Sequence, residues 1–277
     1  MGTKHMNLFF PQWQGAGRSK ELLKGALELQ EKYINIYEFL VVDVSAEENS
    51  KVENNILGYE EITRQFEIAK LLIDKEKPST IFTVGGGCDV EILPVSYLNY
   101  QLEGDLTLIW IDAHGDLNTP ESSPSKNFHG MPLRTILGEG DKHIVDLMFS
   151  KLFASQLVMI GQRDLDEPEK EYIDEKQINV VMIDQNNLDI GKTLDVIRSK
   201  GSNNIYVHID LDVLNMEEFP FVMVPAPNGL KIEVLLELLK TLNSDFKIMG
   251  LSLLEYTSSD VKEIKVLSDI IKMGISL

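Results

Sequence analysis

Short runs that are apolar on both faces alternate with helical patterns along the whole chain, and this alternation constrains the fold more than any other feature. The strand-like runs are Ile36 to Val44, Thr80 to Val84, Leu106 to Ile111, Gln156 to Ile160, Asn179 to Ile183, Asn204 to Ile209 and Ile248 to Leu253. Apolar positions three and four apart predict helices over Lys20 to Tyr33, Tyr59 to Asp74, Val90 to Leu102, Pro168 to Glu175, Leu194 to Lys200 and Ile232 to Leu242. A last helix is expected after Ser259-Asp260, which offer N-cap side chains. Strands buried on both faces and separated by helices imply a mostly parallel sheet covered on each side. The expected fold is α/β, a three-layer α-β-α arrangement forming a single domain over residues 1–277. Ser45 to Asn55 reads as a polar, charged loop. Met1 to Met6 reads as an added remnant foreign to the natural chain, so His5 is given no function.

An apolar content of 43% supplies ample core for 277 residues. Cys88 is the one cysteine, which rules out an internal disulfide framework and fits a reducing, cytoplasmic setting. No apolar run approaches the ~20 residues of a membrane-spanning helix, and no signal-peptide pattern opens the chain. A formal charge of -18 repels phosphate backbones and argues against nucleic acid as a partner; a cation or cationic substrate would be drawn in.

In open α/β sheets, ligands bind beyond the carboxyl ends of the strands. Polar groups gather there after five different strands: Gly85-Gly86-Gly87-Cys88, Asp112 to Asp116, Gln162 to Asp166, Asp210 to Asp212, and Glu255. Asp112-Ala-His114-Gly-Asp116 sets three metal-ligand side chains at i, i+2 and i+4. Side chains alternate along a strand, so such a cluster converges on one cation only where the chain leaves the strand and turns. Asp210 and Asp212 repeat the idea after Asn204 to Ile209. Two acidic clusters, each ending a buried strand, meet the needs of a two-metal hydrolytic centre. Acidic strand ends also occur in magnesium-dependent phosphoryl-transfer proteins, but His114 and the second aspartate pair favour the hydrolytic reading.

From about Thr83 to Ser258 the sequence resembles the arginase (ureohydrolase) family. Asp112-Ala-His114-Gly-Asp116 matches the family's Asp-Ala-His-x-Asp motif, and His208-Ile-Asp210-Leu-Asp212 matches its second Asp-x-Asp pair. The resemblance implies hydrolysis of guanidino or formimino groups at a binuclear manganese centre. It makes Asp112 and Asp210 bridging ligands, with His114 and Asp212 on one ion and Asp116 on the other; Asp116 also counts among the catalytic residues. Oxygen-rich ligation suits Mn2+ on hardness grounds, with Co2+ or Zn2+ as alternatives and one ion rather than two left open. The family match further implies that Asn118 and Ser125 hold the substrate carboxylate and that Asp166 and Glu169 receive its α-amino group. His129 is implied as a proton shuttle, and Glu255 faces the guanidinium. These types suit those tasks. Asn and Ser donate to a carboxylate without adding charge, histidine exchanges a proton near neutrality, and a carboxylate can grip a guanidinium at two points. Against this, Asn118-Thr-Pro alone is an ordinary turn, and Glu167-Pro-Glu169 is an ordinary acidic helix start.

The pattern departs from the family at three positions. Cys88 stands where the family's Gly-Gly-Asp-His element carries a ligating histidine, and Gly87 replaces the aspartate beside it. Thiolate suits zinc or iron better than manganese, while a buried cysteine also serves as a small apolar residue. Val224 stands at a threonine position near the substrate. The expected activity is metal-dependent hydrolysis of a small guanidino substrate, L-arginine to L-ornithine and urea, by a homo-oligomer that the resemblance makes a trimer or hexamer. Guanidinobutyrate or formimidoylglutamate as substrate, or a non-catalytic binding protein using the same pocket, are the alternatives. Agmatine fits least, because Asn118 and Ser125 answer to a carboxylate.

Overall fold

The computed structural model describes residues 4–47, 51–259 and 261–277. Its centre is an eight-stranded sheet in which every pairing is parallel. The strands are β1 (His5–Phe10), β2 (Leu40–Val41), β5 (Thr80–Gly85), β6 (Thr107–Ile111), β7 (Leu157–Ile160), β8 (Asn179–Val181), β9 (Asn204–Ile209) and β10 (Lys247–Leu253). A separate two-residue hairpin joins β3 (Val52–Glu53) to β4 (Ile56–Leu57). Across the sheet the order is β2-β1-β5-β10-β9-β6-β7-β8. The helices are α1 (Glu21–Leu29), α2 (Tyr59–Glu76), α3 (Ile92–Gln101), α4 (Pro132–Ile136), α5 (Lys142–Leu147), α6 (Glu167–Lys176), α7 (Ile190–Arg198), α8 (Ile232–Asp245) and α9 (Lys265–Ile275).

Period-two alternation splits each central strand between two apolar layers. Leu108 and Trp110 of β6 pack with Phe66 of α2 and Leu98 of α3, whereas Ile109 and Ile111 pack with Leu194 of α7, Leu238 of α8 and Ile270 of α9. The three-layer expectation therefore holds. Leu235, Leu238, Leu239 and Leu242 of α8 are all fully buried, each contributing about 1.5–3 kcal/mol of hydrophobic stabilisation. Both edge strands are very short, which limits the unpaired backbone open to edge-to-edge association. No helix among the described residues is long and apolar enough to cross a membrane.

Several expectations need correction. The strand-like runs read from the sequence omit β1, which begins at His5 and pairs with β5 from His5↔Thr80 to Phe10↔Gly85. Residues 1–3 lie outside the described residues. Ile36 to Val44 forms a strand only at Leu40–Val41, since a π-helical turn over Gln30–Ile34 extends α1 and only two residues reach register with β1. The last helix starts at Lys265 and not directly after Ser259, and its N-cap Ile264 donates its N–H to Tyr33 Oη at 2.7 Å. Ser259 instead bonds Glu28 through its N–H at 3.0 Å and its hydroxyl at 3.1 Å. Asp260 lies outside the described residues. The loop expected over Ser45 to Asn55 contains β3, and residues 48–50 of it are likewise not described.

Candidate metal centre and substrate pocket

The glycine run after β5 is a packing device. A Cβ on Gly86 would sit 1.4 Å from the Gln12 carbonyl oxygen, so only glycine lets the exits of β1 and β5 lie together. A Cβ on Gly87 would meet Asp89 Oδ1 at 2.6 Å and Glu255 Oε1 at 3.2 Å. Cys88 is thereby set at the base of the crevice. Its N–H donates to Glu255 Oε1 at 3.1 Å, and its Sγ lies 3.2 Å from Asp210 Oδ2.

The two aspartate motifs fold alike. Asp112 Oδ1 accepts the His114 N–H at 2.7 Å, and Asp210 Oδ1 accepts the Asp212 N–H at 2.7 Å. Each turn swings the second residue of its motif back over the strand end. The motifs are also tied to each other, because Ala113 N–H donates to Asp212 Oδ1 at 3.0 Å and His114 Nδ1 lies 2.8 Å from Asp212 Oδ2. Asp116 and Glu255 both adopt left-handed backbone, with φ of 53° and 61°, conformations that non-glycine residues hold only when their surroundings fix them. Asp116 returns its carbonyl oxygen to the Leu133 and Arg134 N–H groups at the start of α4.

Three sets of ligand atoms converge here, each within 4.8 Å of one another: Cys88, Asp112, Asp116 and His208; Cys88, Asp210 and Glu255; and Asp112, His114 and Asp212. Burial, then the Asp112 charge, pushes the Asp116 carboxyl well above its usual range. Burial, then Asp212 and Asp112, does the same to Asp210. Asp212 is pushed up to about 6 by burial and Asp112, with His114 opposing. Asp112 goes the other way: burial resists its ionisation, but bonds to His114 and His208 outweigh that and hold it well below the carboxylate range. Among the described residues Asp116 Oδ2 and His114 Nε2 are buried without a hydrogen-bond partner. Mutually repelling buried carboxylates with an unpartnered oxygen fit a divalent cation as their missing counter-charge. With mostly oxygen donors, the set suits a hard or borderline ion.

A cavity of about 310 Å³ opens above this cluster. Cys88, His114, Asp116, Asp210, Asp212, Asn118, Ser125, His129, Asp166, Glu169 and Glu255 all line it, and Asp112 is buried beneath. Every site residue singled out in the sequence thus falls in one place. Their engagements differ. Asn118 Nδ2 donates to Asp166 Oδ2 at 2.9 Å, and its Oδ1 accepts from Ser122 at 2.8 Å. Glu169 accepts the Leu117 and Asp166 N–H groups, both at 2.9 Å, so its oxygens serve the backbone. Burial raises its carboxyl to about 7. Val224 lines the rim at 41% exposure.

A sequence profile of the arginase family matches residues 19–264. The chain belongs to the arginase family. Curated arginase relatives include that of Staphylococcus aureus strain MRSA252, 34% identical over 188 residues that cover 64% of this chain and 61% of the relative. The arginase of Bacillus subtilis strain 168 is 34% identical over 194 residues, covering 68% of this chain and 63% of the relative. The match therefore spans about three fifths of the length of these arginases. Among solved structures, Entamoeba histolytica arginase in complex with L-ornithine superposes with a TM-score of 0.86, 20% identity and 100% coverage of both chains. Bacillus subtilis arginase gives 0.78 and 22% identity, covering 99% of this chain and 97% of that one. At such identities the likeness to these structures is one of fold.

Sequence reasoning passed over His208, Glu91 and Asp89, all fully buried. The signal for His208 was present: a titratable ring inside an otherwise apolar strand, two residues before Asp210 and so on the same face. Asp89 gave only a polar residue after a glycine run. In the fold, burial raises its carboxyl to about 7, with His129 opposing.

Proposed function

We propose that this arginase-family chain is a metal-dependent ureohydrolase that hydrolyses a guanidino group, with L-arginine as substrate and L-ornithine and urea as products. The supporting observation is the convergence of Asp112, His114, Asp116, Asp210 and Asp212 beneath a cavity whose wall carries the Glu255–His129 pair, joined at 2.9 Å. Those five residues would hold two Mn2+ ions, with Cys88 within reach as a softer sixth donor. Paired divalent ions supply activation of water at neutral pH, which a resonance-stabilised guanidinium otherwise resists.

The rest falls to the protein. Glu255 orients the guanidinium by a charge-assisted contact. His129, held through Nδ1 and lining the cavity, delivers a proton to the departing amine. One C–N bond of the guanidino carbon breaks as the water oxygen adds, leaving urea and a primary amine. Asn118 and Ser125 donate to the substrate carboxylate, and Asp166 receives the α-amino group. Glu169 acts by holding the Leu117 and Asp166 backbone in place.

The test is urea release from L-arginine by protein reconstituted with Mn2+, beside a metal-stripped sample. Metal-dependent urea production supports the reading. No urea with Mn2+, Co2+ or Zn2+ ends the arginase assignment, and guanidinobutyrate and formimidoylglutamate then become the substrates to assay.

A further inference from the structure

His208 enters the site from β9 and has no part in the reading above. Its ring is fully buried and stacked on Trp110, with centroids 3.4 Å apart and planes at 8°. Trp110 and His208 are register partners in β6 and β9, so both side chains leave the same face of the sheet side by side. Stacking and register together fix the plane of the imidazole and therefore the direction of both nitrogens.

Those directions point to two different environments. On one edge, Nδ1 lies 3.7 Å from Glu91 Oε2, and the other oxygen of Glu91 accepts the Tyr206 hydroxyl at 3.0 Å. Neither His208 Nδ1 nor Glu91 Oε2 has a hydrogen-bond partner among the described residues. On the opposite edge, Nε2 lies 3.5 Å from Cys88 Sγ and 3.8 Å from Asp112 Oδ2. It completes a wholly buried set with Cys88, Asp112 and Asp116 whose ligand atoms lie within 4.8 Å of one another. The Cys88 thiol has one proton to give, and Asp210 at 3.2 Å is the nearer acceptor. With Nδ1–H facing Glu91, the lone pair of Nε2 is left directed into the carboxylate cluster. A histidine with a carboxylate behind one nitrogen and an ion position before the other is how proteins orient an imidazole ligand.

We propose that His208 is a metal ligand through Nε2, at the ion position bounded by Cys88, Asp112 and Asp116, and that Glu91 and Tyr206 are its positioning residues. This rests on the metal-dependent reading of the site. It gives that position a nitrogen donor whatever the thiol does, which favours a transition-metal ion over magnesium.

Proton NMR of the Co2+-loaded full chain tests it without substrate. A ring N–H of a cobalt-ligating histidine gives a paramagnetically shifted signal that disappears on exchange with D2O. Buried against Glu91, the Nδ1–H of His208 should give such a signal with slow exchange, apart from that of the more exposed His114. His208→Ala should remove it and weaken binding of one ion by at least about 100-fold in equilibrium dialysis; Glu91→Gln should move the signal and weaken that ion by about 10-fold. Bound cobalt without the slow signal in the unmodified protein overturns the proposal even if His208→Ala does not fold. Wild-type affinity and stoichiometry in a folded His208→Ala overturn it too. Protein that releases urea but lacks the signal defeats this inference alone, whereas protein that binds no cobalt and releases no urea defeats the metal-dependent reading with it.

Discussion

His129 Nδ1 lies 2.9 Å from Glu255 Oε1, and the same oxygen accepts the Cys88 N–H at 3.1 Å. One carboxylate oxygen thus ties the wall of the pocket to its floor. Burial resists a charge on His129, but Glu255 and Asp89 outweigh it and raise its pKa above the ordinary value. His129→Asn should lower kcat by about 10²-fold, the low end for loss of a general acid, with little change in KM. Steady-state urea release decides this, and an equal rise in KM would move His129 from proton transfer to binding.

Asp112→Asn keeps shape but removes the charge on which the two aspartate motifs converge. Urea release should fall by 10²-fold or more, on the order of the loss seen when a metal site is loosened. Retention of wild-type activity by this variant would exclude the proposed chemistry.

Cation removal should be visible in stability as well as activity. Asp212 has a folded-state pKa of about 6 against an ordinary 3.8, so metal-free protein loses stability as pH rises across that interval. A cation cancels the loss. Mn2+ at 100 times its Kd adds about 2.7 kcal/mol, which should raise the melting temperature by several degrees at pH 8 and by much less at pH 5. Matching thermal scans with and without EDTA at pH 8 would contradict this.

Substrate choice should follow Asn118. If its amide serves the substrate carboxylate, L-arginine outcompetes agmatine, and Asn118→Ala narrows the ratio of kcat/KM by about tenfold, as one lost hydrogen bond to a charged group would. An unchanged ratio assigns Asn118 to holding Asp166 and Ser122 in place.

Glu28 takes bonds from Tyr256, the chain neighbour of Glu255, and from Ser258, Ser259 and Lys32. Burial alone would raise its carboxyl, yet these partners bring it down to about 2 from 4.5. A depressed carboxyl stabilises the fold fully above its unfolded pKa and loses that contribution as pH falls toward the folded one. Glu28→Gln should therefore cost on the order of 2 kcal/mol at pH 7 after allowing for solvent screening, and should converge on the parent protein near pH 2. Urea denaturation at several pH values would report the crossover.

Legibility in the sequence tracked how local each determinant is. The bounds of β9 match the expectation because both flanks carry turn residues, and the aspartate motifs reveal themselves through spacing alone. The N-cap expected at Ser259 failed because Ser259 is taken by Glu28, 231 residues away. Glu169 shows the same limit in the pocket, where its acidic helix-start character and its inward placement are both real, but only the fold reveals that the Leu117 N–H occupies one of its oxygens. His208 needed the partnership with Trp110 on a neighbouring strand before its ring could be aimed.

The hydrogen bond from Ala113 to Asp212 joins residues 99 positions apart, across the β6–β9 pairing at the middle of the sheet. No stretch of chain short enough to order by itself contains both halves of the cluster. The complete ligand sets come into being only when long-range closure of the kind that slows folding has brought these strands together. Metal uptake during refolding would mark the moment when the central strands have met.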